Sequence, residues 1–181
     1  MPDRAAGLPT RRLFFALWPT DELRRRIERD TALIVGVAGG RRIPAASFHV
    51  TVLFIGEVAH SQVAEVMAAA DAAAAPAFEL TLDTVEAWKD SRVVALAGAA
   101  APPELSALAD SLRISLLHRQ IKLKRQDLRP HITLVRKFAR APTPAQAPPV
   151  VRWRVNEFVL VESQMARGGS QYSVIGRWPL A

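Results

Sequence analysis

Phe48-His49-Val50-Thr51-Val52-Leu53-Phe54 and Pro130-His131-Ile132-Thr133-Leu134-Val135-Arg136 are two near-identical stretches, one in each half of the chain. Each is an apolar, β-branched run that carries a His and, two residues later, a Thr. Side chains of a strand alternate between its faces, so residues i and i+2 project from one side. Read as strands, both stretches set an imidazole beside a hydroxyl and turn Val50, Val52, Ile132 and Leu134 toward a core. One His–Thr pair in a strand is ordinarily a structural hydrogen-bonding pair. Two copies with a matching apolar pattern read as two halves of one site.

The segments around them supply a frame. Arg12 to Trp18 is a short apolar run closed by Pro19, hence a buried strand. Thr20 caps a helix with Asp21 and Glu22 at its positive end, Leu23, Ile27, Leu33 and Ile34 at helical spacing, and Gly36, Gly39 and Gly40 closing it. Ser61 to Ala75 reads as a second helix, and Pro102-Pro103 open a third through Leu105, Leu108, Leu112, Ile114 and Leu117. Phe78–Asp83 and Arg92–Ala97 read as strands with Asp90-Ser91 as the turn between them, and Val151–Val161 and Tyr172–Trp178 as closing strands around Gly168-Gly169. Residues 1–10 lack periodicity and are expected to be a mobile leader; residues 141–149, with Pro142, Pro144, Pro148 and Pro149, read as an exposed loop. About seven strands and three helices joined by hairpin-length links predict an α+β fold with antiparallel pairing.

Composition narrows the class. A chain of 181 residues supports one core, divided at most into two lobes, so residues 11–181 are expected to form a single domain. The absence of Cys excludes disulfides, thiolate zinc sites and a cysteine nucleophile. No apolar run approaches the ~20 residues of a membrane helix, and Met1-Pro2-Asp3-Arg4 lacks the apolar core of a secretory signal. A cytoplasmic, membrane-free protein is the expectation. A net charge of +7 favours polyanionic partners such as nucleic acid, although a bias toward Ala and Arg produces the same charge without any partner.

Two imidazoles across a phosphodiester form a complete acid–base apparatus near neutral pH. One neutral ring accepts a proton from water, and one protonated ring donates to the leaving oxygen. Thr hydroxyls can donate to the non-bridging oxygens, and a cation such as Arg136 can balance charge in the transition state. There is no HExxH and no carboxylate cluster at ligand spacing, so neither metal nor cofactor is expected. His60 and His118 lack the Thr partner and read as surface residues. Phe14, Phe15 and Trp18 read as core, with alternation allowing only one of Phe14 and Phe15 to face a site, and Arg24-Arg25-Arg26 reads as a solvated helix face.

The repeated motif resembles the two-histidine phosphoesterase superfamily, and within it the RNA 2′,3′-cyclic phosphodiesterases of bacteria and archaea, historically called 2′-5′ RNA ligases. Arg12–Leu17 is similar to that family's opening strand, Phe48–Val58 to its first motif with the trailing Gly-Glu-Val, and Arg129–Arg136 to its second. Phe158–Ser163, Tyr172 and Trp178-Pro179-Leu180 are similar to its ending, so the likeness runs over residues 11–180. Leu53 and Arg42 depart from its usual residues. The resemblance implies a two-lobed α+β fold, each lobe an antiparallel sheet with helices outside, and a central cleft between pseudo-symmetric halves. It also implies metal-independent hydrolysis of RNA 2′,3′-cyclic phosphate ends to 2′-phosphates, with reversible 2′-5′ ligation available to the same groups. His49 would be the general acid and His131 the general base, Thr51 and Thr133 would hold the phosphate, and Phe14 and Arg136 would flank the terminal base. The partner is then RNA with a 2′,3′-cyclic phosphate end, tRNA fragments among the candidates, met by a monomer. Small cyclic nucleotides or 2′-5′ oligonucleotides as substrates, or a non-catalytic RNA-binding module, are the competing readings.

Overall fold

The computed structural model describes residues 9–142, 148–166 and 169–181. Most of the expected leader (residues 1–8), Pro144 of the proline-rich loop and Gly168 of the expected last turn lie outside the described residues.

The Arg12–Trp18 run lies in strand β1, Thr10–Leu17. It is sandwiched in an antiparallel sheet of order β10-β9-β1-β3, with β3 at Val50–Ala59, β9 at Glu157–Ala166 and β10 at Gly169–Pro179. Alternation along β1 sends Leu13, Phe15 and Leu17 into the main core and Phe14 and Ala16 into a small cluster with Val159 and Val161 on the other face. A second antiparallel sheet has the order β2-β7-β6-β5, with β2 at Arg41–Arg42, β5 at Thr84–Trp88, β6 at Val93–Ala97 and β7 at His131–Arg136. The first motif therefore leads into one sheet and the second lies in the other. β4 (Phe78–Leu82) and β8 (Val151–Val155) form a separate antiparallel pair.

Helices cover these sheets. α1 (Asp21–Asp30) is capped by Thr20 as expected, its hydroxyl accepting from the Leu23 amide at 3.3 Å. The single helix expected through Gly36 is instead two, because α2 (Ala32–Ala38) restarts after Thr31. The buried Thr31 hydroxyl donates to the Ile27 carbonyl at 2.7 Å, a back-bond that bends helices. That turn leaves Leu33 71% exposed, so it is not a core residue. α3 spans Val63–Asp71, shorter than expected, and α4 spans Pro103–His118. α4 buries Leu105, Leu108, Leu112 and Leu116, while Ile114 and Leu117 face outward. The stripe follows i, i+3, i+7, i+11, off which Ile114 and Leu117 fall.

Strand pairing departs further from expectation. Phe78–Leu82 does not pair with Val93–Ala97; the intervening Thr84–Trp88 is a strand and takes that partner, turning at 89–92. β4 pairs with β8 instead, Phe78 opposite Val155, Leu80 opposite Trp153 and Leu82 opposite Val151, all buried. The expected strand Val151–Val161 is broken at Asn156, its halves entering different sheets. In total the described residues form ten strands and four α-helices.

β3 is an edge strand in which the ladder to β1 slips twice, so that Val52 and the adjacent Leu53 are both buried in the main core. Leu53 thus faces the core. The free edge of β3 is closed by one side chain: Gln126 accepts from the Phe54 amide and donates to the Phe54 carbonyl, both at 2.8 Å. This bond mimics a ladder rung and ties the segment before β7 to β3.

Candidate active site

His49 precedes β3 by one residue and His131 opens β7. Each imidazole makes the same backbone contact. Nδ1 of His49 meets the Ser47 carbonyl at 2.7 Å, and Nδ1 of His131 meets the Arg129 carbonyl at 2.7 Å. A carbonyl only accepts, so Nδ1 carries hydrogen in both rings and Nε2 is left to exchange a proton. Thr51 stands opposite Ala16 across the ladder, Thr133 opposite Ala95 and His131 opposite Ala97. Small cross-strand partners leave room above the dyads for a ligand.

His49, Thr51, Phe14 and Arg136 line one cavity of about 330 Å³, together with Arg12, Arg41, Phe54, Ser163, Ser170 and Tyr172. His131 and Thr133 are not among its lining residues, yet both are half-buried on the adjoining sheet, and β3 and β7 are in contact. A larger cavity of about 540 Å³ opens beside the first and shares Arg41, Arg136, Ser170 and Tyr172 with it. Arg41 and Arg136 are cross-strand partners on β2 and β7, while Ser170 and Tyr172 share a face of β10, so both sheets wall these spaces.

The rings of the site are packed. Phe14 lies 5.1 Å from His49, Tyr172 stands edge-on to His49 at 5.0 Å, and Trp88 stands edge-on to His131 at 4.6 Å. Phe14 is 3% exposed. Its ring packs against His49 and Tyr172 and forms a wall of the cavity, and Tyr172 is half-buried. The expectation for Arg24 is corrected, since it is buried rather than solvated. His60 and His118 are exposed, as expected.

Electrostatics make the site a receptor for anions. Burial pushes His49 down to about 4; the Ser47 carbonyl opposes this, and the positive charges of His131, Arg136 and Arg24 add to it. His131 is also lowered, first by burial and then by Arg129 and Arg136, against the Arg129 carbonyl and Glu86. Part of the His49 ring still opens on the cleft, so its depression belongs to the unliganded site, and an anion beside it raises the value. Among the described residues no group of three or more His, Cys, Asp or Glu could hold a metal ion, and no helix is long and apolar enough to cross a membrane.

A family model described as the 2′-5′ RNA ligase superfamily matches residues 19–167. The chain belongs to this superfamily. The RNA 2′,3′-cyclic phosphodiesterase of Escherichia coli strain K12 is 35% identical over 171 residues, which are 93% of this chain and 96% of that protein. The protein of the same name from Thermus thermophilus is 28% identical over 182 residues, covering 93% of this chain and 90% of that one. The crystal structure of E. coli LigT in apo form superposes with a TM-score of 0.83 at 33% identity, over 94% of this chain and 98% of that chain. The architecture of antiparallel sheets with helices outside is thus that of the superfamily.

Several residues of this superfamily member's site carry no signal in the His-x-Thr pattern. Arg12, Arg41, Ser163 and Ser170 line the cavity, with the Arg12 guanidinium 5.0 Å over the Phe54 ring. Period-two alternation could have found Arg12, which leaves β1 on the same face as Phe14, but only the sheet order brings β10 and β2 to the same place.

Proposed function

We propose that this chain opens the 2′,3′-cyclic phosphate at an RNA end to a 2′-phosphate, with His49 and His131 as the proton-transfer pair. Nε2 of His131 takes a proton from water, whose oxygen attacks phosphorus. The P–O3′ bond breaks, and Nε2 of His49 delivers a proton to the departing 3′ oxygen. Thr51 and Thr133 donate to the non-bridging oxygens, Arg136 offsets their charge, and Phe14 and Tyr172 bound the space for the terminal base. The observation that carries the reading is the matched pair of Nδ1–carbonyl bonds, which leaves two Nε2 atoms free in one positive field. By microscopic reversibility, the same groups join a cyclic end to a 5′-hydroxyl through a 2′-5′ bond. The Arg-lined cavity beside the site favours an RNA strand over an isolated cyclic nucleotide, because it continues the cationic surface beyond the space for one nucleotide. In this reading the enzyme works as a monomer in the cytoplasm, on RNA ends that include tRNA fragments.

The test is incubation with a short RNA bearing a 2′,3′-cyclic phosphate, in EDTA. The expected product is a 2′-phosphate resistant to a 3′-specific phosphatase. Activity abolished by the chelator and restored by a divalent ion would overturn the mechanism; tight RNA binding with no turnover would leave a binding module.

The pH dependence follows from the shifts. The working form carries one proton on the pair, and kcat/KM follows that form in the free enzyme. Both imidazoles lie below 6.5, so kcat/KM peaks on the acid side of 6.5 and falls as pH rises above it. The bound phosphodiester stabilises the protonated rings, so the basic limb of kcat lies at higher pH than that of kcat/KM. Coincident limbs in the two profiles would contradict this.

A further inference from the structure

Trp18 ends the run of β1 and Arg24 lies in the first turns of α1, with the Thr20 cap folding one back upon the other. The indole stacks on the His49 imidazole at 5.6 Å between ring centroids and 20° between planes. The Arg24 guanidinium lies over the same indole at 4.8 Å. Arg24 is only 7% exposed. Its Nη1 donates to Asp21 at 3.0 Å, while Nε and Nη2 are buried with no hydrogen-bond partner among the described residues. Glu157, which lines the same hollow of about 250 Å³, is engaged by Arg177. A buried guanidinium with two unmet donors is costly, and an aliphatic chain of the same length would fill the space without that penalty. Packing alone does not account for it.

The construction recurs at the other imidazole. Trp88 stands edge-on to His131, the Arg129 guanidinium lies 5.1 Å over Trp88, and Glu86 accepts from Trp88 Nε1 at 2.6 Å while pairing with Arg129. Each imidazole thus touches an indole, and each indole carries a guanidinium paired with a carboxylate, Asp21 or Glu86. The His-x-Thr pattern encodes none of these residues.

We propose that Trp18 and Arg24 are positioning residues for His49, as Trp88 and Arg129 are for His131: the guanidinium pins the indole, and the indole fixes the plane in which the imidazole presents Nε2 to the cleft. The proposal rests on the reading of His49 and His131 as the proton-transfer pair. The Nδ1–carbonyl bond restrains one atom of a ring and leaves it free to rock about that contact; stacking removes the rocking. A cation held against the indole strengthens the clamp through the ring's negative face. Arg24 also adds a fixed positive charge near His49, alongside Arg136 and His131 of β7; Tyr172 of β10 touches the ring, and Arg12 of β1 and Arg41 of β2 line the same cavity.

The deciding experiment follows the His49 side-chain titration by NMR in the intact protein, together with kcat and KM on an RNA 2′,3′-cyclic phosphate. Arg24→Met keeps the length of the side chain but removes charge and cation–π contact. Its His49 is expected to titrate at higher pH than in wild type, and kcat is expected to fall about tenfold with KM changed less than about threefold, as for a misaligned catalytic group. Arg24→Lys restores the His49 titration but not the full kcat, since an ammonium does not stack as a planar guanidinium does. A folded Arg24→Met protein with wild-type His49 titration and wild-type kcat would overturn the proposal. If Arg24→Met does not fold, Trp18→Phe carries the test. It keeps a ring against His49 but presents a weaker face to Arg24; an unchanged kcat and titration would again refute the clamp, and losses in both would support it. The titration needs no turnover, so a wild-type enzyme inert on cyclic phosphate would sink the functional reading while the clamp was still decided on His49 itself.

Discussion

His49→Ala and His131→Ala are each expected to lower the rate of cyclic phosphate opening by about 10²–10⁴-fold while RNA affinity stays near wild type. The loss is confined to chemistry because the binding groups lie elsewhere. Arg12, Arg41, Arg136, Ser170 and Tyr172 line the cavities whichever imidazole is missing. Removing either ring takes away one proton transfer and leaves the other without its counterpart. The double substitution should therefore be little worse than the poorer single one, the non-additivity of groups that act as a unit. Single-turnover rates beside a binding titration provide the check. A single variant within about tenfold of wild type would remove that residue from the mechanism, and single losses that multiply in the double variant would mean independent roles.

Phe15→Ala should have the largest effect on stability, about 3–5 kcal/mol. Phe15 has no exposed surface and sits on β1, which has a paired strand on each side. Its ring stands edge-on to Phe158 at 5.9 Å and to Trp178 at 6.1 Å, while Phe158 and Trp178 stack on each other at 5.4 Å. Those partners belong to β9 and β10, so the cavity left by the truncation opens between strands from both ends of the chain and cannot close by local movement. Against a typical total of about 5–15 kcal/mol, such a loss brings the protein close to unfolding at ordinary temperature. Urea denaturation measures it; a change below about 1.5 kcal/mol would mean that the core relaxes around the void.

Much of the fold was legible where the signal was local. The Thr20 cap, the buried run of β1, the Pro-initiated α4 and the His–Thr spacing all rest on residues a few positions apart, and the structure places them as read. Errors arose where an element's partner lay far away in sequence. Phe78–Leu82 alternates like half of a hairpin, yet its partner is Val151–Val155, because a nearer strand, Thr84–Trp88, captures Val93–Ala97. Leu53 shows the same limit at a single residue. A bulge in β3 turns it inward.

By itself, then, the sequence determined the chemistry on offer: two imidazoles, each with a hydroxyl on the same face, fixed by the two-residue period of an extended chain. Only the tertiary structure decided what surrounds them. The dyads sit on different sheets, Arg41 is carried to Arg136, Tyr172 to His49, and Trp18 onto His49. Those contacts come from sheet order and helix packing, which depend on burying apolar surface across the whole chain and leave no periodic trace in any short stretch of it.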